Sequence, residues 1–103
     1  MTISVLTPDR TIFTGTISRV TLPGVEGSFQ LMENHAPLVS ALTGGKVTLL
    51  PSAAGYRYFD EDAKAVVDGT QVGNNMSFTI DGGFVEVLNN TVNLLVQGAR
   101  NMR

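Results

Sequence analysis

Apolar and polar residues alternate along many short stretches of this chain, and clusters of turn residues separate the stretches. In the first stretch, Ile3 and Val5 alternate with polar neighbours, which is the pattern of a half-buried β-strand. A similar alternation, or a short apolar or aromatic run, returns at residues 11–14, 17–22, 28–31, 46–49, 56–59, 78–80, 85–87 and 92–96. No stretch shows a convincing helical period. The pattern therefore predicts an all-β fold, a small β-sandwich or flattened barrel of about ten short strands.

Glycine and asparagine mark the turns. We expect Gly15 to end the strand at 11–14, and Asp81-Gly82-Gly83 to form a turn, because glycine adopts positive φ without a steric cost. Asn89-Asn90 predicts a two-residue hairpin turn, since asparagine tolerates the left-handed backbone that such turns require. The residues expected on the inner faces of the strands, and so in the core, are Phe29, Leu31, Val47, Phe78, Val85 and Leu94.

The length and the even spacing of strands predict one domain over residues 1–99, followed by a tail at residues 100–103. Within the domain, residues 51–75 are expected to form an extended connection, a hairpin or loop that projects from the sandwich. Residues 60–67 fit either one helical turn or a strand, and both alternatives stay open. The aromatic residues expected to pack at the base of this connection, or against a partner, are Tyr56, Tyr58 and Phe59.

Composition excludes several classes of function. The 103 residues carry a formal net charge of −2 without a basic stripe, so no nucleic-acid partner is expected. Cysteine is absent, which excludes disulfides and thiolate metal sites. The clustered acidic residues lack the glycine of a calcium loop and are expected to be solvated without a metal: Asp60, Glu61, Asp62 and Asp68. The N-terminus does not resemble a signal peptide and the apolar runs are too short to span a bilayer, so membrane contact is expected only through a partner.

Turn residues are most concentrated at residues 23–42, which also contain the only histidine. A short strand between stiff turns presents its flanking loops to a partner in a fixed position. His35 has three possible roles: a catalytic group, a turn residue whose ring bonds a neighbouring carbonyl, or part of an interface. Residues 43–47, TGGKV, do not fit a phosphate loop, because Ser40 and Val47 stand where Gly and Ser or Thr are required. No nucleotide site is therefore expected.

Residues 23–50, PGVEGSFQLMENHAPLVSALTGGKVTLL, resemble the signature of the epsilon subunit of F-type ATP synthases. That family carries a Gly-x-x-Gly turn, a short strand, a Pro-Gly-His-Ala-Pro-Leu segment and a glycine before the next strand. The residues that match are Gly24, Gly27, His35, Ala36, Pro37, Leu38 and Gly45. The opening strands, with Phe13 and Gly15, are also similar to the family. So is the final hairpin, with Gly82, Gly83, Glu86 and Val87, and the resemblance covers about three quarters of the chain.

The resemblance implies a non-catalytic subunit of the central rotor stalk that needs no cofactor. Such a subunit packs against the gamma subunit and sits on the polar loops of the membrane c-ring, at the cytoplasmic face of the inner (plasma) membrane. It couples proton-driven rotation of the ring to the catalytic head. The residues that the resemblance places at the interface with the c-ring and gamma are Ser28, Glu33, Asn34 and His35. The alternative hypotheses are a free-standing β-sandwich that binds a ligand or a peptide, and a hydrolase that uses His35.

The sequence departs from the family pattern at several places. Glu33-Asn34 stands where Pro-Gly is usual, Ser28 stands where many members have a carboxylate, and residues 51–75 are longer than the usual connection. Typical members continue after the sandwich into a two-helix hairpin that can restrain ATP hydrolysis and in some members binds ATP. Only four residues follow Ala99, too few for a helix, which needs about 12–15 residues in isolation. We therefore expect a short form that couples rotation without this restraint and binds no nucleotide.

Overall fold

The computed structural model describes residues 1–100, and these residues form eleven β-strands without a helix. The strands are β1 (Thr2–Leu6), β2 (Thr11–Gly24), β3 (Gly27–Met32), β4 (Leu38–Leu42), β5 (Gly45–Pro51), β6 (Tyr56–Asp60), β7 (Ala65–Gly69), β8 (Met76–Ile80), β9 (Gly83–Leu88), β10 (Thr91–Val96) and β11 (Ala99–Arg100). The all-β fold class predicted from the alternation is confirmed. Of the predicted tail, Arg100 pairs with Thr79 in β11, and residues 101–103 lie outside the described residues.

The central element is β2, which pairs with β1, β3, β4, β5 and β6. The sequence predicted two strands here with a break at Gly15, and that prediction is wrong, because β2 is one strand of 14 residues. Gly15 serves a different purpose. A Cβ atom at this position would lie 2.4 Å from the Cβ of Tyr56, so the glycine lets β6 approach β2 closely.

Five strands pair along the two edges of β2, and one of them, β4, pairs with it only at its last residue, Gly24. β5 and then β6 pair along one edge, while β3 and then β1 pair along the other, so that Ile17 lies between Pro51 and Met1. From β5 the sheet continues through β8 to β11, and from β1 it continues through β10 and β9 to β4. The β1–β10 pair is parallel and the other pairings among the described strands are antiparallel.

The sheet closes on itself. β4 returns to β2 at the pair Leu42–Gly24, and the backbone N–H of Thr43 donates to the carbonyl of Pro23 at 2.9 Å. A hydrogen-bonded circuit of β1, β10, β9, β4 and β2 results, with the strands around β5 as the second layer. Closure satisfies backbone groups that a free sheet edge would expose. The fold is the predicted flattened barrel, or β-sandwich.

One apolar core fills the space between the layers, and no polar or charged side chain of the described residues is buried in it. Five of the six predicted core residues are buried: Leu31, Val47, Phe78, Val85 and Leu94. The prediction for Phe29 is wrong in degree, since its side chain is half-buried and packs against the core. The reason is its position on β3, which pairs with β2 on one edge only.

The connection at residues 51–75 contains a hairpin made of β6 and β7. Its first strand pairs with β2, and the Tyr56 ring is buried with its centroid 5.4 Å from that of Phe13. Arg10 lies over the Phe59 ring, 4.3 Å from its centroid. Of the two alternatives for residues 60–67, the structure shows a strand from Ala65 onward, after a turn at residues 61–64. The base of the hairpin is thus anchored in the sandwich by aromatic packing.

Candidate interaction surfaces

The strand β3 and its two flanking turns form the first candidate surface. At its start, the Val25-Glu26 turn connects Gly24 to Gly27, and Gly27 has a φ of 126°. Gly24 is also required, because a Cβ atom there would lie 2.8 Å from the Phe29 ring. The predicted interface residue Ser28 is exposed at this end. It borders an open groove of about 510 Å³ that runs between β3 and β4, lined by residues 24–29, 40 and 41.

The other three predicted interface residues lie at the opposite end of β3. Glu33 and Asn34 follow Met32, the last residue of the strand, and all three predicted residues are exposed. Asn34 has a φ of 61°, a left-handed conformation that asparagine adopts more readily than most residues, so Glu33-Asn34 still forms a tight turn. At about 3.3 Å per residue, Ser28 and Glu33 are roughly 16 Å apart along the strand. The structure therefore divides the four residues between two ends of one strand.

Glu33 is held by contacts inside the chain. Its Oε1 accepts a hydrogen bond from the α-amino group of Met1, and its Oε2 accepts one from Nδ2 of Asn90 at 3.0 Å. Asn90 Oδ1 in turn accepts the backbone N–H of Asn34 at 2.8 Å. The hydrogen bond from the Met1 amino group, and then that from Asn90, lower the pKa of Glu33 below its ordinary value of 4.5. The carboxylate thus fastens the β3–β4 loop to the β9–β10 turn.

Sequence reasoning missed this role of Asn90. The pair Asn89-Asn90 was predicted as a hairpin turn, and its φ values of 51° and 60° confirm that prediction. No contact was predicted for the side chain of Asn90. The local sequence pattern could not predict these contacts, because the partners of Asn90, Asn34 and Glu33, are more than fifty residues away in sequence.

His35 occupies an exposed turn. Its backbone N–H donates to the carbonyl of Met32 at 3.2 Å, and its Nδ1 lies 2.7 Å from the carbonyl oxygen of Ala36. A carbonyl only accepts, so Nδ1 carries the proton in this contact. This is the geometry of a turn histidine, one of the three roles considered, because both contacts are to main-chain carbonyls. Within residues 1–100, no group of acidic or histidine side chains is arranged to hold a metal ion.

A second surface, which the sequence analysis did not identify, is the outer face of β1, β10, β9 and β4. The strand register places four apolar residues in one row across this face: Leu6, Leu95, Phe84 and Ala41. Val39 and Leu88 lie on the same face and are 70% and 52% exposed. We call this surface the apolar face. Adjacent apolar residues in one strand, such as Leu94-Leu95, indicate that both faces of that strand are apolar, and this was the available sign.

The outer face of the other layer has the opposite character. Its register aligns one polar row across β3, β2, β5 and β8: Gln30, Thr21, Thr48 and Ser77. Gln30 Nε2 donates to the Thr21 hydroxyl at 3.3 Å. Four of the eight exposed large apolar side chains of the described residues lie together on the apolar face, a grouping that is typical of a docking face, while Met32 lies on the polar side. The described residues also contain no helix of the length and apolar character needed to cross a membrane.

Comparison with known proteins identifies relatives of this sequence. Residues 1–60 match the family described as ATP synthase, Delta/Epsilon chain, beta-sandwich domain. The ATP synthase epsilon chain of Chlorobium limicola is 37% identical over 95 residues, which are 92% of this chain and 86% of that protein. The ATP synthase epsilon chain of Salinibacter ruber is 33% identical over 97 residues. The match covers 94% of this chain but spans 58% of the Salinibacter protein.

Solved structures share the fold at lower sequence identity. A chain in the cryo-EM structure of the Euglena gracilis mitochondrial ATP synthase, OSCP/F1/c-ring, superposes with a TM-score of 0.70 at 17% identity. The match covers 95% of this chain and 51% of that one. A chain in the central stalk/c-ring structure of the Tetrahymena thermophila mitochondrial ATP synthase superposes with a TM-score of 0.64 at 23% identity, covering 98% and 66%.

Proposed function

The chain belongs to the ATP synthase delta/epsilon chain family, and from this premise we propose that it is a rotor subunit of the central stalk. In this role it couples rotation of a proton-driven c-ring to the catalytic head through the gamma subunit. The family consists of subunits of the ATP synthase complex, and the chain is not catalytic by itself. The observation that carries the proposal is the division of the sandwich into an apolar face and a separate edge rich in polar turns.

The apolar face is the proposed contact with gamma. Phe84, Leu88 and Leu95 project from neighbouring strands there and remain 37–52% exposed. Covering such side chains removes apolar area from water, which is worth roughly 25 cal/mol per Å² before the costs of association. A stiff sandwich held by this face would turn with gamma as one body, as the transmission of torque requires.

The turns at the two ends of β3 are the proposed contact with the polar loops of the c-ring. Ser28, Asn34 and His35 are exposed polar residues that suit such loops. Glu33 belongs to the same proposed set, and its bonds to the Met1 amino group and to Asn90 hold the loop in place. This arrangement would place the protein peripherally on the cytoplasmic face of the inner (plasma) membrane, with membrane contact only through the complex.

Retention by gamma tests the first contact. Phe84→Asp places a charge in the apolar face, and we expect it to abolish copurification with the gamma subunit encoded in the same genome. Val66→Asp is the matched control, because Val66 is exposed to a similar degree, 48%, but lies on the β6–β7 hairpin. Equal retention of both variants would exclude the apolar face as the gamma contact.

Cross-linking tests the ring contact. The native chain has no cysteine, so single cysteines can be introduced without background. We expect Ser28→Cys and His35→Cys to form disulfides with cysteines placed in the c-ring loops of the assembled enzyme. Asp62→Cys, at the exposed tip of the β6–β7 hairpin, should not. Cross-links from Asp62→Cys alone would show that the ring faces a different edge.

A further inference from the structure

One carboxylate interrupts the apolar face. The register places Glu86 of β9 between Val39 of β4 and Asn93 of β10, with Phe84 and Leu88 two residues away on the same side of the strand. Two hollows flank this position. One is lined by Leu6, Pro8, Phe84 and Leu95 among others, and the second by Pro37, Val39 and Leu88 among others, with Glu86 itself at the rim of the second.

Glu86 has no ionic partner within the part of the chain that the structure describes. The ion pairs found there join Glu33 to the Met1 amino group, Arg57 to Asp68 and Arg100 to Asp81. The side chain points outward and is exposed. Its position matters once another surface covers the face.

Docking on the apolar face would strip water from the Glu86 carboxylate. A desolvated charge without a partner opposes association, whereas a well-placed opposite charge offsets that cost and selects the partner. Resting on the proposed function, we propose that the gamma surface that covers this face is apolar and presents a single Arg or Lys side chain opposite Glu86. Apolar side chains of that surface enter the two hollows, and the ion pair between them sets the register of docking.

Charge argues against two other occupants of the face. A second copy of this chain, docked by the same face about a two-fold axis, would bring two apolar faces together with their Glu86 carboxylates near each other, and like charges in contact disfavour that arrangement. A lipid surface offers acyl chains and, in many membranes, anionic headgroups, neither of which stabilises a carboxylate. An apolar protein surface that carries one basic side chain suits both the hollows and the charge.

The decisive variant is Glu86→Leu. The presence and the absence of a basic side chain opposite Glu86 predict opposite changes in the dissociation constant for gamma. If a basic side chain faces Glu86, leucine leaves that cation desolvated and unpaired, and the dissociation constant for purified gamma should rise at least about tenfold. If no cation is present, leucine enlarges an apolar contact and binding tightens. Asp62→Leu, at the exposed tip of the β6–β7 hairpin, is the matched control and should leave the dissociation constant unchanged. Melting temperatures of the variants verify that each remains folded.

A charge exchange completes the test. Glu86→Lys should abolish binding to native gamma, and one Lys→Glu or Arg→Glu variant of gamma should restore it to Glu86→Lys while weakening binding to the native chain. Glu86→Leu binding as tightly as or more tightly than the native chain overturns this inference but leaves the proposed function intact. If the native chain itself fails to bind gamma, the proposed function fails, and the inference fails with it.

Discussion

At the scale of single residues, Glu33 shows how one side chain joins three distant parts of the chain. It bonds the Met1 amino group and Asn90, and so connects the start of β1, the end of β3 and the β9–β10 turn. The resemblance alone would assign Glu33 to a partner. The structure gives it internal bonds, and any contact with the c-ring would be made around this fixed carboxylate.

The lowered pKa of Glu33 makes this link dependent on pH. A carboxyl whose pKa is lower in the folded than in the unfolded state adds stability above its ordinary value, here 4.5. That contribution is lost as the pH falls through the lowered folded value. We expect Glu33→Gln to reduce the free energy of unfolding at pH 7, with the difference from the native chain shrinking below pH 4.5. Urea unfolding across this range measures it. Glu26→Gln serves as the control, and a difference that stays constant with pH would contradict the assignment.

Core residues differ in how much they contribute to the free energy of unfolding. The two phenylalanines that were predicted to lie in the core illustrate this difference. Phe78 is 1% exposed at the centre of β8, so Phe78→Ala should lower the free energy of unfolding by ~3–5 kcal/mol. Phe29 is half-buried on the edge strand β3, and its replacement by alanine should cost clearly less. Chemical denaturation of both variants checks the order. Equal losses would show that Phe29 is more tightly packed than its exposure indicates.

At the scale of elements, local alternation identified most strands, because burial of one face imposes a period of two on each. It could not predict which strands pair. The parallel β1–β10 pair and the closure of the barrel at Leu42–Gly24 join residues far apart in sequence. The prediction of a break at Gly15 was wrong for the same reason, because this glycine is required by the close approach of Tyr56, which is distant in sequence. Likewise, the apolar face became visible only when the register aligned four strands.

Gly15 offers a direct check of that explanation. Gly15→Ala would place a methyl group against Tyr56 Cβ, where the available distance is 2.4 Å, and overpacking of this kind typically costs about 1–3 kcal/mol. Gly44→Ala is the control, since the nearest atom to its new Cβ would be the Ile80 carbonyl oxygen at 3.4 Å. We expect thermal melting to show a clear loss for the first variant and a small change for the second. The reverse order would mean that β6 does not pack against β2 as described.

The β6–β7 hairpin is expected to tolerate change at its tip but not at its base. Replacing residues 61–64 by Asn-Gly keeps the Asp60–Ala65 register and suits a two-residue turn, so the free energy of unfolding should change by less than about 1 kcal/mol. Deleting residues 63–75 removes Gly69, which lies against the buried Tyr56 ring. We expect that larger deletion to destabilise the domain, because it also removes β7, the strand that pairs with β6. Circular dichroism melting of both variants distinguishes the two regions.

At the scale of the whole molecule, two surfaces of different chemistry lie on one sandwich with dimensions of 34 × 25 × 20 Å. The apolar face suits a protein partner, and the turns that flank β3 suit polar loops. Family membership could be inferred from the sequence, because the glycines and the His-Ala-Pro-Leu segment are local features. The proposed coupling function requires both surfaces to be occupied at once, with the closed sandwich holding them at a constant separation.

The most direct test of this account measures proton pumping per ATP hydrolysed in vesicles that contain the ATP synthase depleted of this chain. We expect the depleted enzyme to hydrolyse ATP with little pumping, and addition of the native chain to restore pumping. Phe84→Asp, altered on the apolar face, should fail to restore it, whereas Val66→Asp should succeed. Full pumping by the depleted enzyme, or equal restoration by both variants, would contradict the account.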